Sequence, residues 1–333
     1  MTRSIQGLSA ARAWTPKRYR YAGQILASEL PLPELVAARA PSEAPMYAIT
    51  CDPGAMQAGE LAWLHHWVDG EDACELSLAR VAEGYLLRFP DLADIVVSSS
   101  GKIRVSGLPG VAARTLRHLL LDQVLPRLLA QRGKLVLHAS AVGISDRSVV
   151  LILGLSGHGK STLAAGLAAQ RGSRVLADDC VIAGFDGDRL LAVPSYSGLR
   201  LWPDSLAALF PQSARAQRVN DYSDKMRMPV ARSANQSGWP VAAILVLDRA
   251  EPDDARVDTQ VTPIDASRAC MALMSNAFQL DVGDAQHVYR LLGIAADAAQ
   301  RAPVLSLRHR RDFSKLPQVA RAILDHPAIA RAQ

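Results

Sequence analysis

The ten residues LGLSGHGKST, 153–162, constrain the fold of this chain more than any other stretch. Gly154, Gly159, Lys160 and Ser161 fit G-x-x-x-x-G-K-[ST], a pattern that works as the turn between a strand and the helix that follows it. Glycines at 154, 157 and 159 let successive backbone N–H groups approach an anion, and the positive end of a helix starting near Lys160 adds to their field. The anion such a loop takes is the polyphosphate of a nucleoside triphosphate. Lys160 is expected to neutralise the β- and γ-phosphates and the Ser161 hydroxyl to ligate Mg²⁺, with Ser156, Gly157, His158 and Thr162 completing the binding loop. His158 sits in the variable part of the motif, where solvent exposure is the plainer reading. The basic residues sharpen the match. Lys17, Lys102, Lys134, Lys160, Lys225 and Lys315 are the chain's lysines and every other cation is Arg, so a lysine at the motif position is informative.

The flanking pattern is the one the motif needs. SVVLILG (148–154) reads as the strand before the loop, Lys160 to Gln170 as the helix after it, and RVLADD (174–179) as the next strand. KLVLHASAV (134–142) reads as a strand forming an antiparallel hairpin with 148–154. Further on, VIAGFDGDRLLAVP holds a hairpin at DGD, and SLAALF a short helix after Pro203. The polar stretch 211–238 reads as a long loop. Strands at 241–248 and 304–309 and helices near 266–278, 283–300 and 316–325 complete an α/β domain.

Ahead of this lies a different texture. Residues from about 18 to 108 alternate apolar and polar in YAGQILA, MYAITCD, CELSLARV, YLLRF and IVVSSSGKIRVSGL, with SSSGK as a hairpin turn and several prolines limiting helix. Leu116, Leu119, Leu120, Val124, Leu128 and Leu129 then recur at helical spacing, and Pro126 is expected to kink or split that helix. The expected fold class is therefore α/β: a phosphate-loop domain at 133–333, with a mainly β accessory domain at 1–110 and a connecting helix at 111–132. The accessory domain carries no catalytic cluster and reads as a place to bind a partner or substrate.

Composition excludes some alternatives. A chain of 333 residues, 49% hydrophobic and 21% charged, is ordinary for two folded domains. No run reaches the length of a membrane helix, and MTRSIQGLSAARAW lacks a signal-peptide core, so the cytoplasm is the expected location. Cys51, Cys74, Cys180 and Cys270 are scattered and read as buried reduced thiols. Net charge is +5 and the pI near 9.2, yet only KRYR (17–20) and RHRR (308–311) are dense, and neither carries a nucleic-acid signature; no nucleic acid is expected as partner.

Two further elements bear on chemistry. Phosphoryl transfer to a hydroxyl needs a carboxylate near the metal and another to accept the hydroxyl proton, and Asp178-Asp179 at the end of the strand after the loop helix can share those tasks. His138, on the strand beside the loop strand, reads equally as a core residue or as part of the site.

LHASAV, GLSGHGKST, LADD and PSYSGLRLWPDSL, in this order and spacing, resemble the HPr kinase/phosphorylase-like kinases, whose nucleotide core is similar to that of phosphoenolpyruvate carboxykinase. YAGQILASELPLPEL, TLRHLLLDQVLPRLLAQRGKLVLHASAV and LRLWPDSL resemble more narrowly the HPr kinase-related proteins, a group that includes kinases encoded beside lasso-peptide and other ribosomal-peptide biosynthesis genes. The resemblance spans about residues 19–250. It implies that Lys160 and Ser161 bind nucleotide and metal, that Asp178 and Asp179 serve Mg²⁺ binding and proton transfer, that His138 matches a histidine before the loop, and that Lys225 and Arg227 match a basic pair. Where HPr kinases carry a glutamate-containing E-x-R-G segment, this chain has PSYSGLRLWP with Arg200 and no Glu, a departure that leaves the HPr substrate and phosphorolysis without support from the resemblance.

The expectation is an ATP- and Mg²⁺-dependent phosphotransferase acting on a Ser or Thr of a peptide or small protein, of the lasso-peptide precursor type, with a homo-oligomer implied by the resemblance. The alternatives are a kinase of an HPr-like protein or of a free small molecule such as serine, and a nucleotide-gated peptide-binding ATPase that transfers nothing.

Overall fold

The computed structural model describes residues 16–38, 43–52, 60–68, 73–170, 172–212, 215–230, 238–248 and 259–332. They form a mixed α/β chain with large sheets, divided into two compact units. The first holds the chain up to Leu128 together with Val219–Ser223 and Leu280–Asp284; the second holds the rest.

The first unit is built on one nine-stranded sheet. Its strands are β1 (Lys17–Tyr21), β2 (Gln24–Ser28), β3 (Val36–Ala37), β4 (Tyr47–Cys51), β5 (Trp63–Val68), β6 (Cys74–Val81), β7 (Gly84–Phe89), β8 (Ala93–Ser98) and β9 (Lys102–Gly107), in the order β3-β1-β2-β4-β9-β8-β7-β6-β5. YAGQILA is not one strand: the chain turns at Ala22–Gly23 and β1 pairs back on β2. The SSSGK turn joins β8 and β9 as an antiparallel hairpin. Leu78, Leu86, Leu87, Ile95 and Ile103 are fully buried on it, and the Tyr21 hydroxyl donates to the Leu121 carbonyl at 3.0 Å.

The helical stretch runs as α1 (Ala113–His118), a π-helical segment Leu119–Val124, and α2 (Leu125–Gln131). The helical run continues through Pro126 without a split. A proline lacks an N–H and its ring crowds the carbonyl four residues back; the π segment just ahead of it, where the Leu125 N–H donates to the Leu120 carbonyl, widens the turn at that point.

The second unit contains β10 (Leu135–Leu137), β11 (Ser140–Gly143), β12 (Val149–Leu153), α3 (Lys160–Ala168), β13 (Arg174–Ala177), β14 (Val181–Asp186), β15 (Arg189–Pro194) and β16 (Leu199–Leu201). Then come α4 (Pro203–Leu209), β17 (Gln217–Arg218), β18 (Met226–Met228), β19 (Trp239–Leu247), β20 (Gln260–Pro263), α5 (Ala266–Ser275), α6 (Ala285–Arg301), β21 (Val304–Arg308), α7 (Leu316–Leu324) and α8 (Pro327–Ala330). The main sheet runs β10-β14-β15-β19-β12-β11-β13, with β21 beside β19 and β20 beside β21.

Two expectations are corrected. KLVLHASAV is two strands, β10 pairing with β14 and β11 with β12 and β13; the chain leaves one ladder for the other at His138, whose N–H donates to the Asn276 carbonyl at 2.7 Å. The polar stretch 211–238 is not wholly loop, because β18 in it pairs with β16 on one side and β17 on the other as a small three-stranded sheet.

Strand β12 explains the layering. All five of its residues are buried, as a strand covered on both faces requires. Val149, Leu151 and Leu153 point to a core shared with α5 and α6, while Val150 and Ile152 point to one shared with α3 and α7. Because β11 is antiparallel to both β12 and β13, the latter two end on the same side, where β11 begins. That shared end carries the residues of interest. Among the described residues no helix is long and apolar enough to cross a membrane.

Candidate active site

The loop after β12 leads directly into α3. Gly154 takes φ 152°, and a Cβ there would stand 3.0 Å from Cβ of Leu247, so the close approach of loop to β19 demands glycine. Its N–H donates to Asn276 Oδ1 at 3.1 Å. Gly159, at φ 88°, opens α3, and no side chain caps the first turn, which leaves backbone N–H groups aimed outward from the helix start. Lys160 is buried and folded back, its Nζ donating to the carbonyls of Gly154 at 2.7 Å and Leu155 at 3.2 Å. Burial lowers its pKa, opposed by the nearby charges of Asp179 and Asp178.

The two adjacent carboxylates differ sharply. Asp178 is fully buried and saturated: Oδ1 accepts from Ser140 Oγ at 2.5 Å and from Ser161 Oγ at 3.1 Å, and Oδ2 accepts from the Arg200 N–H at 2.8 Å. Burial and then the Asp179 charge push its carboxyl up. Asp179 faces the other way. Its backbone lies in the left-handed region at φ 66°, a conformation that Asp tolerates better than most residues and that turns the side chain out of the strand direction. His138 Nε2 lies 3.4 Å from Oδ1 and Arg200 Nη1 3.4 Å from Oδ2. Burial alone pushes the Asp179 carboxyl up; Arg200, His138 and Lys225 overcome it and hold the group well below the usual carboxylate range. The Arg200 guanidinium also donates to the Asp178 carbonyl at 2.9 Å, so one side chain fixes the turn between the two acids.

These groups border a cavity of about 280 Å³, near the lower end of small-molecule sites. Residues 156–162 of the loop line it, together with His138, Asp179, Arg200 and Lys225. Lys225 Nζ stands 5.6 Å from the Trp202 ring centroid, and Thr162 Oγ1 is 3.0 Å from Ser205 Oγ. Of the residues expected at the site, Gly154, Asp178 and Arg227 are not in the lining. Gly154 and Asp178 sit behind it. Arg227 pairs across the small sheet with Arg200 and donates to the Ser197 carbonyl at 2.8 Å, so its guanidinium braces the loop before β16.

Several members of the site carry no local signal in the sequence. Ser140 lies inside the LHASAV segment but was hidden as an ordinary small strand residue; Asn276 had no local signal, since only the fold brings it to Gly154. His309 and Arg311, which also line the cavity, belong to the basic run RHRR, whose density carries no nucleic-acid signature and gives no local sign of a site. The cysteines are all free, as expected, but Cys74 is exposed and Cys51 half-buried; only Cys180 and Cys270 are buried.

The oxygen donors suit Mg²⁺. This ion is usually held by one or two carboxylates and substrate phosphates, and the Ser161 hydroxyl and the Asp179 carboxylate present hard oxygens to the cavity, with Asp178 behind them orienting Ser161. Among the described residues no group of three or more His, Cys, Asp and Glu forms an all-protein metal cage.

No family model and no curated protein matches the chain. Among solved structures, it is similar to the HPr(Ser) kinase/phosphatase from Coxiella burnetii, at 14% identity and a TM-score of 0.30, over 59% of this chain and 92% of that one.

Proposed function

We propose that this chain is an ATP-dependent kinase that moves the γ-phosphoryl group to a hydroxyl. One observation carries the reading: Ser161, at the end of the loop, is hydrogen-bonded to Asp178, while Asp179 alone of the acidic pair opens to the same cavity as Lys160. The triphosphate would lie on the loop amides and Lys160. Mg²⁺ would be held at the Ser161 hydroxyl, which Asp178 orients from behind the cavity, and would neutralise charge on the β- and γ-phosphates.

The division of labour follows from burial. Asp178 is saturated and inaccessible, so it orients Ser161 and the metal side of the loop. Asp179 is held ionised and faces the cavity, so it receives the acceptor's hydroxyl proton as the oxygen bonds to the γ-phosphorus and the bond to the β,γ-bridging oxygen breaks, releasing ADP. Arg200 and Lys225, beside Asp179, face the charge that develops on the transferred group.

The acceptor we favour is a Ser or Thr hydroxyl of a peptide, of the ribosomally made precursor type, a reading supported by the sequence segments resembling the HPr kinase-related proteins. The test is incubation with ATP, Mg²⁺ and candidate peptides, read by mass spectrometry for one added phosphate. Transfer lost in Lys160→Ala and Asp179→Asn supports it; phosphate released to water with no phosphorylated product overturns the kinase reading in favour of an ATPase.

A further inference from the structure

The sheet places two different chemistries on opposite sides of the loop. β11 and β13 lie on one side of β12 and bring Asp179 and His138 to the cavity; β19 and β21 lie on the other side and bring the residues that follow β21. β21 is parallel to β19, and β19 to β12, so the end of β21 emerges on the same side of the sheet as the loop. At the usual spacing of strands, each flank is about 10 Å from β12.

The β21 flank is chemically unlike the acidic one. His309, Arg311 and Phe313 line the cavity there beside Leu316, the first residue of α7. Phe313 is 41% exposed, a large ring left open where the core has no use for it. Asp312 also lines the cavity, but it is engaged as a cap, accepting from the Ser314 N–H at 2.9 Å and the Ser314 hydroxyl at 2.7 Å, which fixes the short 3₁₀ turn that presents Phe313. Burial lowers the pKa of His309, which makes it a neutral wall.

We propose that the segment from His309 to Phe313 is the nucleobase end of the site, with Phe313 stacking on the base and Arg311 supplying a cationic contact beside it. The inference rests on the kinase reading for the position of the triphosphate. If the terminal phosphate points toward Asp179, the other end of the nucleotide must leave the loop toward Thr162, Leu163 and the β21 flank. A ring face discriminates little among bases, because every base has a π-face. The site is therefore base-tolerant, taking ATP and GTP alike.

Equilibrium binding of ATP, GTP and inorganic triphosphate to the full chain tests this. Phe313→Ala is expected to weaken ATP and GTP by similar factors, roughly tenfold or more, while triphosphate binding stays unchanged and Phe313→Trp retains nucleotide affinity. Lys160→Ala should weaken all three ligands. Unchanged ATP affinity in Phe313→Ala overturns the proposal, as does equal weakening of ATP and triphosphate, which would make Phe313 a support of the loop. A wild-type chain that binds neither ATP nor triphosphate overturns the kinase reading itself, a result distinct from either.

Discussion

Ser161 donates a 3.1 Å hydrogen bond to Oδ1 of Asp178, the same oxygen that accepts from Ser140. A helix start, a strand start and a strand end thus converge on one buried carboxylate. Replacing Asp178 by Asn sets an NH₂ or a weaker acceptor against three donors, and a buried donor left unpaired costs about 1–3 kcal/mol. Asp178→Asn is expected to lower the melting temperature by several degrees and to weaken Mg²⁺-dependent nucleotide binding. Ser161→Ala should spare stability and lose mainly the metal dependence. Calorimetry with and without Mg²⁺ separates the two, and identical behaviour of both variants would contradict the assignment.

Asp179 makes a different prediction because its job is chemical. Asn keeps both the shape and the tolerance of the left-handed backbone at φ 66°, so Asp179→Asn should fold and bind nucleotide. Loss of a proton acceptor typically costs a factor of about 10²–10⁴ in rate. The expected outcome is a fall of that order in kcat with little change in nucleotide KM. A variant retaining most of its kcat would exclude Asp179 as the acceptor of the proton.

The charge balance around Asp179 sets a pH dependence. Burial raises its carboxyl pKa, and Arg200, followed by His138 and Lys225, brings it well below the ordinary 3.8. A depressed folded value means that ionised Asp179 stabilises the fold at every pH above the unfolded value, and that this contribution is lost only as pH falls through the folded one. The acid limb of kcat/KM in the native protein should therefore not report Asp179 down to about pH 5. In Arg200→Gln burial prevails, the carboxyl rises, and an acid limb should enter the measurable range; Arg200→Lys, which keeps the charge, should stay near the native profile. Superimposable profiles for the Gln and native proteins would contradict this balance.

Much of this site was legible because the phosphate loop is a local code. Its glycines, lysine and serine act through backbone geometry over ten residues, and the strand and helix beside it have strong apolar patterns. Asp178 and Asp179 were legible as a pair but not as individuals, since the sequence holds nothing to say which one turns at a positive φ and which meets Ser140. The break in KLVLHASAV was invisible for a similar reason: every residue from 135 to 142 suits a strand, and only pairing with a distant partner, through the His138 N–H and the Asn276 carbonyl, divides it. Short strands such as β17 and β18, two and three residues long, carry too little periodicity to be read at all.

Asn276 supplies the last prediction, since it touches both halves of the site without lining the cavity. Its Oδ1 accepts from the Gly154 N–H, its Nδ2 donates to the Ala272 carbonyl at 2.9 Å, and its own carbonyl accepts from His138. The backbone contact to His138 survives substitution, but the contact to Gly154 does not. Asn276→Leu should leave the first amide of the loop buried without a partner, at about 1–3 kcal/mol, and loosen the turn on which the phosphates would rest. Nucleotide KM is expected to rise several-fold with kcat reduced less, because the carboxylates keep their own partners. Asn276→Asp, which retains an acceptor at Oδ1, should recover much of the affinity. If Asp fares no better than Leu, the side chain is holding α5 in place and has no separate role in shaping the loop.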